Sequence, residues 1–462
     1  MVDEPEKVSE KELKELEKAA KEESGGYIIF LLVVVYLGWG LINTDSNLIL
    51  ILSGPILSAL GLTLQQFSYI VSAGFAASFV LSLFLGPLGD KFGRRFVLQL
   101  TLVGTAFFSV LQYFINSFLS WFGIRLGAGA FTGGEWGAGA TALSETVDKK
   151  YRGFVLSIMQ SGWVFGYGLA SVISLFAITT FGAANGWRIA FLFAFLPAVL
   201  VLALRFYVKD PERFKHLKDV AAAKKSGDQA VLADLLTRHK VDIEKITMPS
   251  YRQLFSKDLV RMTIVLAFWN FITTGIAITS NTFQPTYFEA QYSFDQVTTM
   301  FLIVSFAGII GYIANGVLND RIGAKYSIMI FAAIEVLGIL FLTYSTTNIV
   351  NLYIFYIMFF LAENGQFSGL IRMNTENFPT RVRVTGAIWG GAFWSLGQAV
   401  WPLIFGQALA VFGVFSATGI NIGAFNNAWL YVEVFPEIIA IIIFFLVMKN
   451  TPPRKELEEI AV

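Results

Sequence analysis

The sequence contains no cysteine, and this absence excludes disulfide bonds, thiol catalysis and thiolate metal sites. It has only two histidines, His216 and His239, and both lie in a charged stretch away from the apolar runs. We find no nucleophile motif, no histidine-containing metal cluster and no glycine-rich phosphate loop. The sequence therefore does not predict an enzyme, and neither a metal nor another cofactor is expected.

Charged residues are also scarce, at 15% of the chain against roughly 25% in a soluble domain. The formal net charge is only +1, which argues against a nucleic-acid partner. The first 24 residues have no apolar core and no small-residue cleavage site, so a signal peptide is not expected there. We expect a charged tail, either a short helix begun by the Ser9 and Glu12 capping pattern or a frayed segment.

Apolar residues dominate instead, at 55% of the chain with 45 phenylalanines. One water-soluble core cannot hide so much apolar surface, so a bilayer is the expected solvent. Helices are expected because a membrane span must satisfy its own backbone hydrogen bonds. Runs long enough to cross lie at about 27–51, 67–88, 96–118, 121–144, 154–180, 188–208, 260–288, 296–318, 326–344, 350–372, 386–412 and 427–448.

Lys and Arg lie in alternate connections between these runs and in both tails, and the intervening connections contain neither residue. The positive-inside rule then predicts that both termini lie in the cytoplasm. The charged stretch 209–258 joins the sixth and seventh runs and is predicted to be a cytoplasmic linker. Its segment 221–240 has a helical pattern, and a disordered hinge stays open as the alternative.

Two connections contain copies of one motif. GPLGDKFGRR begins at Gly86 and GVLNDRIGAK begins at Gly316, 230 positions later. Both fit G-x-x-x-D-[KR]-x-G-x-[RK]. Agreement over five defined positions, each time after the second run of its half, indicates an internal repeat.

The repeat extends to further sites at an offset of 231. ETVDKKYRG and ENFPTRVRVTG each place an arginine seven residues after a glutamate, at Glu145 and Arg152 and at Glu376 and Arg383. Trp163 and Gly166 match Trp394 and Gly397. Three coincidences in register indicate duplication, a known plan of transporters whose solute site lies between the halves.

We therefore predict an all-α membrane protein with twelve transmembrane helices in two homologous six-helix bundles. The expected divisions are a tail at 1–26, bundles at 27–208 and 259–448, the linker at 209–258 and a tail at 449–462.

These motifs resemble the major facilitator superfamily from about residue 27 to 448. Within it, RLGAGAFTGGEWGAGA from Arg125, ETVDKKYRG from Glu145 and GWRIAFLFAFLPA from Gly186 are most similar to proton-coupled carriers of sialate, lactate and aromatic acids. The resemblance implies alternating access of a central site. The segment VKDPERF from Val208 matches the sugar-porter motif poorly.

The duplicated connections predict a cytoplasmic latch that stabilises the outward-open state and breaks when the halves rock. Gly93 supplies a tight turn, Asp90 is placed to cap a neighbouring helix, and Arg94 is placed to pair with Glu145. The full latch prediction comprises Asp90, Gly93, Arg94, Glu145, Arg152, Asp320, Arg321, Glu376 and Arg383. A role of these charges in orientation alone is the alternative.

Three charges inside the apolar runs are predicted to couple protons to transport. From the helical rise, Asp45 lies about 27 Å and Arg125 roughly 30 Å from the inner end, so the two should form an ion pair. Burial disfavours a charged carboxylate and a neighbouring arginine favours it, so an exchange of partners among Asp45, Arg125 and Glu135 would link protonation to transport. A static structural pair is the alternative.

Polar side chains in the second half are predicted to hold the solute. At the repeat offset, Gln366 stands where the first half has Glu135. The candidates are Asn270, Asn281, Gln284, Tyr287, Asn364 and Gln366, followed by Gln160, Tyr167 and Gln398. Trp163 and Trp394 are interpreted as packing residues, and no transport role is expected for Glu335, Glu433 and Glu437.

The main functional prediction is proton-coupled symport of a small organic acid or related metabolite. A sugar or polyol carrier and a non-transporting solute sensor stay open as alternatives. The expected partners are the solute, protons and the lipid bilayer, without nucleic acid. The protein is expected to be a monomeric, multi-pass protein of the plasma membrane.

Overall fold

The computed structural model describes residues 10–148, 150–209, 250–345, 348–416 and 419–450, with short pieces between 218 and 226. Both histidines and most of the predicted linker helix lie outside the described residues. The charged tail before the first apolar run is helical from Glu10, without a break before the membrane segment.

The described chain is almost entirely helical, which confirms the all-α prediction. The α-helices are α1 (Glu10–Ile51), α2 (Ser53–Leu60), α3 (Leu64–Phe92), α4 (Arg94–Leu111), α5 (Phe118–Thr146), α6 (Arg152–Arg205), α7 (Ser250–Leu254), α8 (Val260–Glu289), α9 (Phe294–Ile322), α10 (Ala324–Ser345), α11 (Ile349–Glu376), α12 (Arg383–Val411), α13 (Ile422–Trp429) and α14 (Phe435–Val447). Single 3₁₀ turns cover Gln112–Phe114 and Thr380–Val382, and a π-helical turn covers Leu430–Val434. Two short antiparallel strands, β1 (Phe415–Ser416) and β2 (Gly419–Ile420), form a hairpin.

Helix starts repeat between the halves. Thr63 before α3 and Ser293 before α9 lie 230 positions apart, and each side chain accepts a hydrogen bond from the third residue of its helix in a capping box. Ser117 before α5 and Asn348 before α11 lie 231 positions apart and are also side-chain caps. These caps satisfy orphan N–H groups at helix starts and so fix equivalent boundaries in both halves.

Glycine supplies the sharp turns between helices. Gly93 has φ 107° between α3 and α4, and Gly323 has φ 87° at the equivalent place between α9 and α10. Left-handed φ values of this kind favour glycine, so the predicted tight turn is present in both copies. Gly182, at φ 75°, divides the long α6 into two helical segments.

Among the described residues, nine helical segments are long and apolar enough to cross a membrane. Helices α5 and α12 are 29 residues each and are not among the nine. The stretch Arg152–Phe195 counts once despite the break at Gly182. The count of twelve spans, the cytoplasmic termini and the bundle boundaries stay predictions.

The two halves pack against each other in a duplicated manner. Helix α3 of the first half packs on α12 of the second, and α9 of the second packs on α6 of the first. Within the halves, α1 packs on α6 and α8 packs on α12. The space enclosed by these helices contains the candidate site.

The duplicated glycines explain two of these contacts. A methyl group at Gly166 on α6 would overlap the carbonyl oxygen of Gly40 on α1. A methyl group at Gly397 on α12 would overlap the carbonyl oxygen of Phe271 on α8. Since residues 40 and 271 are also 231 positions apart, the same close backbone approach is built into both halves.

Candidate functional site

A cavity lies between the halves, and four tryptophans are among the residues that line it. Trp39, Trp136 and Trp163 of the first half and Trp394 of the second all line it. The ring centroids of Trp136 and Trp394 lie 5.3 Å apart, so the walls from the two halves are in contact. Flat aromatic walls of this kind suit a planar or apolar solute body.

Arg125 lines this cavity, and its guanidinium pairs with Asp45, which does not line the cavity. The Arg125 Nη1 donates to Asp45 Oδ2 at 3.2 Å, which is the pair expected from helical depth. Asp45 also accepts hydrogen bonds from Ser109 and from Gln112, each at 2.6 Å. The arginine Nε has no hydrogen-bond partner, so the guanidinium retains a buried donor for a carboxylate.

Glu135 does not belong to this pair. Its carboxylate accepts from Nη1 of Arg205 at 3.0 Å and from the Thr101 hydroxyl at 2.8 Å, and the residue is fully buried. It is not among the residues that line the tryptophan cavity. The expectation that Glu135 faces the cavity and exchanges partners with Arg125 is therefore corrected. Ten residues separate the two on α5, about 15 Å along the axis, so Glu135 meets a different arginine.

Three of the predicted solute contacts do line cavity walls. Gln398 lines the tryptophan cavity and also a smaller one beside it. Asn281 and Asn364 line the smaller cavity. The two cavities share the walls formed by Trp163, Trp394, Ile278 and Gln398.

Two further candidates lie behind the wall. Gln160 accepts a 2.6 Å hydrogen bond from the Trp136 indole and so orients that ring. Tyr167 stacks on Trp163 with ring centroids 5.7 Å apart. Both act on the cavity through a tryptophan rather than by contact with a solute.

Four candidates make contacts elsewhere, which corrects their predicted role. Asn270 exchanges hydrogen bonds with Asn374 within the second half. Gln284 accepts from the Tyr356 hydroxyl at 2.8 Å, and the Tyr287 hydroxyl donates to Asn426 at 2.9 Å. The fourth, Gln366, donates to Glu335. All four side chains are buried, but none of them lines the tryptophan cavity or the smaller one.

Several cavity residues were missed. Trp39, Trp136, Asn43 and Asn47 line the tryptophan cavity. Trp163 and Trp394, interpreted as packing residues, both pack and line the cavity. The available signal was the repeat itself, because aromatic residues recur at its matched positions 163 and 394.

Besides Glu376 of the latch, the second half buries four glutamates. Glu363 lines the smaller cavity and accepts from Asn281 Nδ2 at 3.0 Å. Glu433, in the π-helical turn, accepts from the Ser280 hydroxyl at 2.5 Å, and Glu335 accepts from Gln366. The oxygens of Glu437 have no hydrogen-bond partner.

The latch charges bind across the two halves in reciprocal pairs. Glu145 pairs with Arg383 at 3.3 Å, and Glu376 pairs with Arg152 at 3.7 Å. Glu145 also pairs with Arg94 of its own half at 3.0 Å, as the sequence predicted. The cavity is therefore closed at this end of the molecule.

One member of the predicted latch is wrong. Arg321 is exposed and forms no ion pair with any residue that the structure describes. Arg372, on α11, takes the place expected for it and pairs with Glu376 at 3.0 Å and with Asp320 at 3.2 Å. The second half thus supplies this arginine from α11, where the first half supplies Arg94 from α4.

The family model described as "Major Facilitator Superfamily" matches residues 28–402. A probable 4-methylmuconolactone transporter of Cupriavidus pinatubonensis is 25% identical over 76% of this chain and 76% of its own length. The niacin transporter NiaP of Acinetobacter baylyi is 26% identical over 82% of this chain and 87% of its own length.

Solved structures agree on the fold. The proton:xylose symporter XylE bound to 6-bromo-6-deoxy-D-glucose matches with a TM-score of 0.74, at 16% identity over 95% of this chain and 99% of that one. The inward open conformation of XylE from E. coli gives a TM-score of 0.68 at 16% identity, over 94% and 99% of the two chains. The family model and the two transporters confirm the resemblance drawn from the motifs and the expectation of a multi-pass protein of the plasma membrane.

Proposed function

Because this chain belongs to the Major Facilitator Superfamily, a family of transporters rather than enzymes, we propose that it is a proton-coupled symporter of small aromatic carboxylates. The observation that carries the proposal is Arg125 at the wall of a tryptophan-lined cavity, with a free buried Nε donor. An arginine recognises a carboxylate through directed, charge-assisted hydrogen bonds, and the indoles accept the flat ring. Relatives named as carriers of niacin, muconate and benzoate support the same class of solute.

Proton coupling is proposed for Asp45. It is the carboxylate that neutralises Arg125, and a solute carboxylate competes for the same guanidinium. When the solute binds Arg125, Asp45 loses part of its compensation and takes up a proton in a buried site where a bare charge is unfavourable. Solute and proton would then enter together, and both would leave when the halves rock.

The test is uptake of radiolabelled benzoate by proteoliposomes containing the purified protein, with the outside more acidic than the inside. We expect saturable accumulation that a protonophore abolishes. Arg125→Gln is expected to weaken uptake about 10- to 100-fold, as for the loss of a charged hydrogen bond. Arg321→Gln, at an exposed arginine outside the latch contacts, is the control and should leave uptake unchanged.

Xylose serves as the comparison solute for the alternative of a sugar carrier. Saturable xylose uptake without benzoate uptake would overturn the proposal in favour of that alternative. Binding of benzoate without uptake of any solute would favour a sensor. Monomeric state stays a prediction.

A further inference from the structure

The smaller cavity beside the tryptophan cavity has an unusual set of polar groups. Glu363 accepts hydrogen bonds from the amide nitrogens of Asn281 at 3.0 Å and Asn364 at 3.4 Å. The same amide nitrogens also donate to the carbonyls of Ala277 and Phe360 on their own helices, at 2.8 and 2.7 Å. These contacts fix both amides with their nitrogens occupied.

The oxygens of both amides consequently have no partner. Asn281 is 2% exposed and Asn364 is 1% exposed, and the Oδ1 of each lacks a hydrogen bond. Both residues line the same cavity as Glu363. A buried oxygen that accepts no hydrogen bond costs about 1–3 kcal/mol. The Glu363 carboxylate and the two amide oxygens are therefore acceptors around one cavity that a ligand with hydrogen-bond donors would satisfy.

Charge supports the same conclusion. No Lys or Arg within the described residues pairs with Glu363, whereas Asp45 and Glu135 each have an arginine. The matched position in the first half is Thr132, whose hydroxyl donates to its own helix at Ala128. The scaffold shared by the halves therefore does not require an acid at position 363.

The distance from Arg125 fits a single small solute. The carboxyl ends of α5 and α11 meet in the latch, where Glu145 and Glu376 bind arginines of the opposite halves. Counted back from these ends, Arg125 lies 20 residues and Glu363 lies 13 residues away, so Glu363 is about 10 Å nearer the latch. An aromatic ring with substituents at opposite ends matches that order of separation.

We infer that Glu363, Asn281 and Asn364 form a second subsite that binds a hydrogen-bond donor at the end of the solute opposite its carboxylate. The donor is an ammonium, amino, hydroxyl or protonated ring-nitrogen group. The carboxylate binds Arg125, the ring lies between the tryptophans that separate the two cavities, and the donor meets Glu363. This inference rests on the proposed function and narrows its solute class to aromatic carboxylates with a polar group at the far end.

The test compares the binding of benzoate, 4-hydroxybenzoate and 4-aminobenzoate to the purified protein by isothermal titration. We expect the two substituted compounds to bind about 10- to 100-fold more tightly than benzoate, the range for a hydrogen bond to a charged group. Glu363→Gln keeps the shape and should reduce this preference at least fivefold, with benzoate affinity nearly unchanged. Glu335→Gln is the matched control, because Glu335 is equally buried in the same half but does not line the cavity.

Each of the following results would overturn the inference. Equal affinity for the three compounds, or a preference that survives Glu363→Gln, would remove the donor subsite while leaving the proposed function intact. Loss of the pH dependence of uptake in Glu363→Gln, with the preference kept, would identify a proton site instead. If none of the three compounds binds the native protein, the proposed function fails and the inference falls with it. Should Glu363→Gln fail to fold, Asn364→Asp is the second variant, and strengthened donor preference is its expected result.

Discussion

The carboxylate of Asp90, near the end of α3, accepts a hydrogen bond from the backbone N–H of Thr385 in the first turn of α12 at 3.1 Å. Its repeat partner Asp320 accepts from the backbone N–H of Phe154, in the first turn of α6, also at 3.1 Å. Residues 154 and 385 are themselves 231 positions apart. Each half therefore caps a helix of the other with an equivalent aspartate, as the duplicated motif led us to expect for Asp90.

We predict that Asp90→Asn opens the latch end in a larger fraction of molecules. The cap across the halves exists only while this end is closed, so weakening it biases a two-state equilibrium. Loss of a cap of this kind is worth about 0.5–2 kcal/mol, or roughly a 2- to 30-fold change in the ratio of states. Because the chain contains no cysteine, Ile388→Cys gives a single reporter between latch and cavity, where Ile388 is buried.

The measurement is the rate at which a maleimide labels that cysteine. We expect faster labelling in the Asp90→Asn background and no change with Arg321→Ala, whose side chain is exposed beside the latch. Equal labelling rates in all three backgrounds would show that Asp90 does not stabilise the closed latch and would favour a role of these charges in membrane orientation alone.

The reciprocal geometry makes a second prediction. Asp320→Asn should raise the labelling rate of the same cysteine to a similar extent. This effect would be indirect, because Asp320 caps α6, whereas the cysteine at position 388 lies on α12. The double variant should exceed either single variant, because two separate caps are removed. An effect confined to Asp90 would show that the two caps are not equivalent.

The latch and the Asp45–Arg125 pair could be predicted because each follows from a single quantity that can be counted in the sequence. For the latch this quantity is the repeat offset, and for the ion pair it is the position of each residue along its helix. The repeat offset relates Glu145 to Glu376 and Arg152 to Arg383. If Glu145 of the first half pairs with Arg383 of the second, the equivalent residues Glu376 and Arg152 should pair as well. Helical rise gives the depth of Asp45 and Arg125, and two opposite charges at one depth inside a membrane have a strong reason to meet.

The remaining site residues depend on which face of a helix points inward, and the apolar pattern does not reveal this. Glu135 and Gln366 are both buried, but they face Arg205 and Glu335 rather than the cavity. Arg205 stands at the far end of α6, 70 positions from Glu135, and no repeat or spacing connects them. Of the cavity tryptophans, the repeat marks Trp163 and Trp394, but nothing in the sequence distinguishes Trp39 and Trp136 from the many other aromatic residues.

We predict that Asp45→Asn abolishes the accumulation of benzoate driven by a proton gradient but spares exchange of labelled for unlabelled benzoate. The amide keeps a hydrogen-bond acceptor for Arg125 but does not titrate. Counterflow in proteoliposomes at equal pH measures the exchange, and uptake under a gradient measures the coupling. Accumulation against a concentration gradient by the variant would assign coupling to another residue.

Glu135→Gln is expected to affect stability rather than coupling. It leaves the buried Arg205 without a counter-charge, and breaking a buried pair in this way costs about 3–5 kcal/mol. The measurements are the thermal unfolding midpoint in detergent and the pH profile of benzoate uptake. We expect a lower midpoint, partial recovery when Arg205→Met is added, and a pH profile of unchanged shape. A flattened profile with an unchanged midpoint would return Glu135 to the coupling mechanism.

The duplicated glycines give the last prediction. Gly166→Ala and Gly397→Ala each place a methyl group against a backbone carbonyl of the neighbouring helix, and backbone cannot move aside as a flexible side chain can. Overpacking of this kind costs about 1–3 kcal/mol, and we expect both variants to unfold at lower temperature and to transport more slowly. Gly123→Ala, within α5, is the matched control, since its added methyl group meets nothing within 4 Å. There alanine should be neutral or stabilise the helix by up to about 1 kcal/mol.

Since the two close approaches are equivalent, the losses of stability at positions 166 and 397 should be similar. A loss of stability at only one of them would show that the duplicated contact supports just one half.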